Sequence, residues 1–74
     1  MKVNYDDVVD EVCLITRLSK RELMHGKRGR DANGRERLVH RLLDDDWSER
    51  EVQDATGWSQ QRVNYLKNRK WKNK

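Results

Sequence analysis

Apolar residues are scarce in this chain, and where they occur they recur at the spacing of helical faces. They make up 34% of the 74 residues, whereas charged residues reach 41%. So few apolar residues suit a helical bundle with a thin core better than a sandwich or a barrel. The absence of proline and the presence of only four glycines point the same way, because they leave few tight turns. We expect one all-α domain over residues 1–74, a small bundle of about five helices with a basic tail that frays from about residue 70.

Two helices are predicted in the first third of the chain. Asn4 caps the first helix, and Ser19 with Glu22 forms a capping box that opens a short second helix. The residues expected on the inward face of the first helix are Tyr5, Val8, Val9, Val12 and Ile15. Leu14 and Leu18 are expected to pack at the junction between the two helices.

A flexible basic loop is predicted between the second helix and the third. Residues 25–34 interrupt the apolar pattern and contain three of the four glycines. The cations of this loop are Lys27, Arg28 and Arg30. The third helix is expected over about residues 35–45, with a cap formed by Asn33 and Glu36. Its inward residues are expected to be Leu38, Val39, Leu42 and Leu43.

Residues 49–68 have the pattern typical of a helix-turn-helix. Ser48 and Glu51 form a capping box that opens a fourth helix, and Gly57 supplies the left-handed conformation that ends it. Ser59 then caps a fifth helix. The residues expected to pack inward around this turn are Val52, Thr56, Trp58, Val63 and Leu66. Two short helices that cross at a steep angle need such a glycine, because the backbone reverses there without a Cβ clash.

Charge is segregated along the chain. Residues 42–56 carry six acidic side chains and one basic one, whereas residues 57–74 carry six basic side chains and no acidic one. Residues 20–41 form a second basic block, with eight basic and three acidic side chains. Basic blocks are the electrostatic footprint expected for phosphate contacts, although a solvated surface with a basic tail carries similar blocks.

The outward face of the fifth helix is predicted to read DNA in the major groove. Its side chains are uncharged polar groups that donate and accept hydrogen bonds, which is the chemistry that recognises base edges. The predicted base-reading residues are Ser59, Gln60, Gln61, Asn64, Tyr65 and Asn68. Contacts to the DNA backbone are predicted for Lys27, Arg28, Arg30, Arg35, Arg62, Lys67 and Arg69.

From about Tyr5 to Arg69 the chain resembles the C-terminal DNA-binding domain of the bacterial replication initiator DnaA, within the fold group that includes the Trp repressor. The shared order is a Val-rich helix, a Ser-Lys-Arg-Glu-Leu segment, a Lys-Arg-x-Arg loop, a long helix and a Ser-capped helix-turn-helix. The family signature Gly-Arg-Asp-His-Thr-Thr-Val aligns with residues 57–63, and both its terminal Gly and its terminal Val match.

The resemblance has two implications for DNA recognition. It implies that a cation of the basic loop enters the minor groove beside the major-groove helix. Ser59 keeps the capping role of the family's aspartate, whereas residues 60–62 are Gln, Gln and Arg in place of the family's reading residues. The preferred DNA sequence is therefore expected to differ from the family's usual site.

Several other kinds of protein are not expected. The single Cys13 excludes an internal disulfide, and with only His25 and His40 beside it neither a metal site nor a cofactor is expected. No constellation of residues suggests catalysis, so an enzyme is not expected. The sequence has no apolar run of membrane-spanning length, and its acidic N-terminus is unlike a signal peptide. The expected location is therefore the cytoplasm, in association with the nucleoid.

Sequence-selective binding of double-stranded DNA is the leading functional hypothesis. Such a protein is expected to be a small transcriptional regulator or a phage- or plasmid-type accessory factor. The main alternative is a protein-interaction module that binds and modulates a host factor through the acidic face of residues 42–56 or the apolar N-terminal helix. A third hypothesis is a nonspecific nucleic-acid binder.

The free protein is expected to be a monomer. The predicted core uses nearly all of the Val, Leu and Ile residues, which leaves little apolar surface for a symmetric dimer. The apolar residues that remain as candidates for exposure are Tyr5, Val9, Cys13, Met24 and Trp71, and they form no evident stripe. Dimers are expected only on DNA, at tandem or inverted sites.

Overall fold

A computed structural model describes residues 3–68, which form five helices and contain no strand. The helices in chain order are α1 (Tyr5–Thr16), α2 (Lys20–His25), α3 (Gly29–Asp44), α4 (Glu49–Thr56) and α5 (Gln60–Asn68). The prediction of a small all-α bundle is confirmed. The tail predicted to fray from about residue 70 lies outside the described residues.

The predicted caps are confirmed at four helices. In each, a side-chain oxygen accepts a hydrogen bond from a first-turn backbone amide that has no partner within the helix. The capping residues are Asn4, Ser19, Ser48 and Ser59. At α2 and α4, the glutamate three residues later accepts a hydrogen bond from the backbone amide of the capping serine, which completes both capping boxes.

The start of α3 corrects the sequence prediction. The helix begins at Gly29 rather than near residue 35, so the predicted ten-residue loop shrinks to the connection Gly26–Arg28. Asn33 and Glu36 do not cap it. Instead, the Asp31 carboxylate accepts hydrogen bonds from the Arg28 backbone amide at 3.1 Å and from its Nε at 3.3 Å.

The apolar pattern could not show this earlier start, because the first turns of α3 bury charged and small residues. Asp31, Arg35 and Glu36 are buried, and so is Gly34. A Cβ at Gly34 would lie 2.7 Å from Leu18 Cδ1 and 3.0 Å from Leu23 Cδ1. This glycine therefore allows the chain before and within α2 to approach the α3 backbone closely.

The centre of the bundle is α3, which packs against each of the other four helices. Leu38, Val39 and Leu42 on its inner face are fully buried. The remaining core residues are Val8, Val9, Val12, Leu18, Leu23, Val52, Trp58, Val63 and Leu66. Each of the other helices therefore contributes at least one apolar side chain to a core built around α3. None of the helices within residues 3–68 is both long and apolar enough to span a membrane.

The end of α1 departs from the predicted packing. Leu14 is 81% exposed and Ile15 is 52% exposed, whereas Val9 is buried, as the helical periodicity predicts. The helix ends at Thr16, and Arg17 adopts a left-handed conformation with φ of 60°. Leu18 rather than Ile15 continues the core, because the chain changes direction at Arg17.

Two leucine substitutions test this division between core and surface. Leu38→Ala removes a fully buried side chain from the centre of the bundle and is expected to lower the free energy of unfolding by about 2–5 kcal/mol. Leu14→Ala makes the same chemical change at an exposed position and is expected to change it by less than about 0.5 kcal/mol. Urea unfolding followed by circular dichroism measures both. Equal losses in the two variants would contradict the placement of α1.

Candidate nucleic-acid interface

The connection between α4 and α5 has the geometry that its sequence predicts. Gly57 has a φ of 79°, and its backbone amide donates to the Gln53 carbonyl oxygen at 2.8 Å, which ends α4. Trp58 is buried directly after this turn, and Ser59 caps α5. The two helices pack against each other and against α3. Their role as a DNA-binding helix-turn-helix stays a prediction.

The outward face of α5 is polar and exposed. Val63 and Leu66 are buried against the bundle. At 100° per residue, the opposite side of the helix centres on positions 61 and 68, with positions 64 and 65 on either side of them. A shallow depression there is lined by Gln61, Asn64, Tyr65 and Asn68. All six predicted base-reading residues are exposed. Four of them share the outward face, whereas Ser59 and Gln60 lie at the start of α5.

One hydrogen bond organises the centre of this face. The Asn68 Nδ2 donates to Asn64 Oδ1 at 3.2 Å, across one turn of the helix. Tyr65 is 63% exposed beside this pair. The amides of Asn64 and Asn68 are therefore oriented before any partner binds.

Two cations lie on the flanks of the same face. Arg62 and Lys67 are placed by the helical repeat on opposite sides of the polar side chains. The Arg62 guanidinium lies 5.6 Å from the centre of the Trp58 ring, a cation–π contact. The Lys67 Nζ lies 2.7 Å from Glu49 Oε2 in a partly exposed ion pair. Such a partly exposed pair contributes little to stability, and it holds the ammonium group at the edge of the face.

The side chains that hold these two cations were not predicted as part of the site. The Trp58–Arg62 contact joins residues four apart at the start of α5, and that spacing could have suggested it. The Glu49–Lys67 pair joins residues from two different helices, so nothing local in the sequence signals it.

The predicted loop cations differ in their surroundings. Lys27 and Arg30 are exposed, and Arg30 lies within α3 rather than in a loop. Arg28 bridges two carboxylates, with its Nη2 at 2.8 Å from Glu22 Oε2 and its Nε at 3.3 Å from Asp31 Oδ2. The hydrogen bond to Asp31, and then the charge of Asp31, raise the pKa of Arg28. The role of Arg28 in the fold is thus to join α2 to the start of α3.

Arg35 is placed in the interior rather than on the predicted DNA-contacting surface. It is 6% exposed, and its Nη1 donates to the Leu23 carbonyl oxygen at 3.0 Å. Burial and, next, the like charge of Arg62 lower the pKa of Arg35, and the charge of Asp31 opposes them. A side chain held this way does not reach a phosphate, so we leave Arg35 out of the candidate interface.

The exposed cations Lys27 and Arg30 precede the part of α3 that lies near α5. His40 Nε2 lies 3.2 Å from the Leu66 carbonyl oxygen, and the charge of Arg62 lowers the pKa of Arg35. Arg30 lies five residues before Arg35, about 7.5 Å along the helix axis at 1.5 Å per residue.

The remaining predicted or reactive residues lie elsewhere. Arg69, predicted to contact DNA, lies outside the described residues. Cys13 is half-buried, and burial raises the pKa of its thiol. Within residues 3–68, His, Cys, Asp and Glu side chains form no group of three that could hold a metal ion.

Comparison with protein-family models, curated proteins and solved structures finds no match to this chain. The resemblance to the DnaA C-terminal domain therefore stays a prediction.

A pair of glycine substitutions tests the turn that positions α5. A Cβ would have open space at both Gly57 and Gly29, so only the backbone conformation distinguishes them. Gly57→Ala forces alanine into the left-handed region and is expected to cost about 1–2 kcal/mol. Gly29→Ala lies at the start of a helix and is expected to leave stability unchanged or slightly raised. Thermal unfolding of both variants measures the difference, and equal stabilities would contradict the turn geometry.

Proposed function

We propose that this chain binds double-stranded DNA in a sequence-selective way, with α5 in the major groove. The observation that carries the proposal is the composition of the exposed α5 face. Amide side chains fill its centre, cations lie on both flanks, and residues 60–68 contain no acidic side chain. Amides hydrogen-bond to base edges, whereas flanking cations are suited to the phosphates on either side of a groove.

A second pair of exposed cations, Lys27 and Arg30, fits the same orientation. They precede the part of α3 that lies near α5. The N-terminal residues of a recognition helix approach the bases most closely, and we infer that these two cations then lie near the DNA backbone or the adjacent minor groove. Contacts of this kind fit the proposal that the protein is a small transcriptional regulator or a phage- or plasmid-type accessory factor.

A protein-interaction role is the second candidate function, and the exposed end of α1 favours it. Leu14 and Ile15 are neighbouring apolar side chains at the surface. Within residues 42–56, Asp45, Glu49 and Asp54 each form an ion pair with a cation of the same chain. Two apolar residues cover far less than the ~800 Å² per partner of a standard interface, so the free protein is proposed to be a monomer.

Substitutions on α5 test the major-groove assignment. Gln60→Ala and Gln61→Ala each remove an exposed amide from the first turn of the proposed reading helix. Loss of a base contact is expected to weaken binding to a preferred duplex by about 1–3 kcal/mol, with unchanged thermal unfolding. Asn33→Ala removes an exposed amide from α3 and serves as the control. Fluorescence anisotropy with a duplex selected from random sequences measures the affinity. Wild-type affinity and sequence preference in both glutamine variants would sink the assignment.

The salt dependence of binding tests the proposed contacts of Lys27 and Arg30 with DNA. The double variant Lys27→Ala/Arg30→Ala removes two exposed cations and leaves the Arg28 bridge intact. If each cation contacts one phosphate, the slope of log affinity against log salt should become shallower by about 1.8.

A charge-matched variant provides the control for this measurement. Arg17→Gln/Lys20→Gln removes two exposed cations outside the proposed surface, at the junction of α1 and α2. It is expected to keep the wild-type slope. A wild-type slope in the Lys27/Arg30 variant instead would show that this segment does not touch DNA.

A further inference from the structure

The chemistry at the centre of the α5 face distinguishes between the base pairs. In the major groove, arginine and lysine pair with the N7 and O6 acceptors of guanine, whereas asparagine and glutamine pair with the N7 acceptor and N6 donor of adenine. Amides occupy the centre of this face, and the cations Arg62 and Lys67 lie on its flanks, held by Trp58 and Glu49. The face is therefore arranged for adenine rather than guanine.

The hydrogen bond between Asn68 and Asn64 fixes which atoms this face presents. An amide has two N–H donors and a carbonyl oxygen with two acceptor sites. Donation from Asn68 Nδ2 to Asn64 Oδ1 uses one donor of Asn68 and one acceptor site of Asn64. Asn64 keeps both N–H donors and a second acceptor site. It can therefore donate one hydrogen bond to adenine and accept another from it. Because the amide is already oriented, less side-chain freedom is lost on binding.

We propose that the α5 face recognises adenine in A·T base pairs through the major groove, with Asn64 as the main specificity-determining residue. The proposal rests on the DNA-binding function proposed above. The Asn64 Nδ2 donates to adenine N7, and its Oδ1 accepts from adenine N6. Tyr65, exposed beside Asn64, presents an aromatic ring that suits contact with the thymine methyl group. Asn68 acts through Asn64 as a positioning residue.

A preference for A·T pairs can also arise from the shape of the minor groove. The experiment must distinguish this origin from base reading in the major groove. Narrow minor grooves of A·T tracts attract basic side chains, and Lys27 and Arg30 could respond to that shape. Two base substitutions distinguish the grooves. Hypoxanthine paired with cytosine shows guanine's pattern in the major groove but lacks its minor-groove amino group. The pair of 2,6-diaminopurine with thymine keeps adenine's major-groove pattern and adds that amino group.

The experiment uses the full chain and a duplex selected from random sequences. Fluorescence anisotropy at fixed salt compares the selected duplex with versions in which single A·T pairs are replaced. At one A·T pair or more, hypoxanthine·cytosine is expected to weaken binding roughly 5- to 150-fold. At the same pair, 2,6-diaminopurine·thymine is expected to leave affinity within about twofold of the parent.

Two other outcomes would overturn either adenine reading alone or sequence-selective binding as a whole. A selected site made of G·C pairs, or a loss caused by 2,6-diaminopurine but not by hypoxanthine, overturns adenine reading while leaving DNA binding in place. Failure to bind any duplex more tightly than random DNA overturns the proposed sequence-selective function as well. The two failures are therefore distinguishable.

A matched pair of variants assigns the contact to Asn64. Asn64→Ala is expected to abolish the discrimination between A·T and hypoxanthine·cytosine at one base pair while other pairs keep theirs. Asn33→Ala removes an exposed asparagine amide from α3 and is expected to keep all discrimination. Circular dichroism checks that both variants fold. Full discrimination in Asn64→Ala overturns the role of this residue.

Discussion

The packing of α3 against the four other helices determines where every other part of the molecule lies. Leu38, Val39 and Leu42 of this helix are fully buried, and α5 is held against the bundle by Val63 and Leu66. Those two buried residues set the rotation of α5 about its own axis. Once they face the core, the helical repeat alone places the amides outward and the two cations on the flanks. The polar face is thus a consequence of the core.

Local signals in the sequence were sufficient for most of the helix boundaries and for the α5 face. A cap involves residues two or three apart, and the orientation of α5 follows from two apolar residues three apart, so both can be read without tertiary information. The start of α3 could not be predicted this way. Asp31 and Arg35 are buried there because Arg28 and the Leu23 carbonyl oxygen provide their partners, and Gly34 is buried against α2.

The distribution of charge has a physical consequence at the start of α5. Arg35 is buried close enough to Arg62 for the like charge to lower its pKa, and Arg62 itself rests over Trp58. Asp31 offsets part of this positive charge, and its own carboxylate is already engaged by Arg28. Two neighbouring cations with limited neutralisation produce a local positive potential. This positive potential attracts an anionic partner to the start of α5, and it therefore favours one orientation of that partner on the protein.

Under the proposed function, stability and DNA recognition depend on different residues of α5, so the polar face can change while the core is kept. Substitution of Val63 or Leu66 leaves a cavity in the core and shifts the whole helix, so it alters stability and recognition together. Substitution of an exposed amide leaves the core intact, because surface substitutions typically change stability by less than about 0.5 kcal/mol. The hydrogen bond from Asn68 to Asn64 links two of them. A new amide pattern could therefore change which base pairs are preferred while the five-helix bundle keeps its stability.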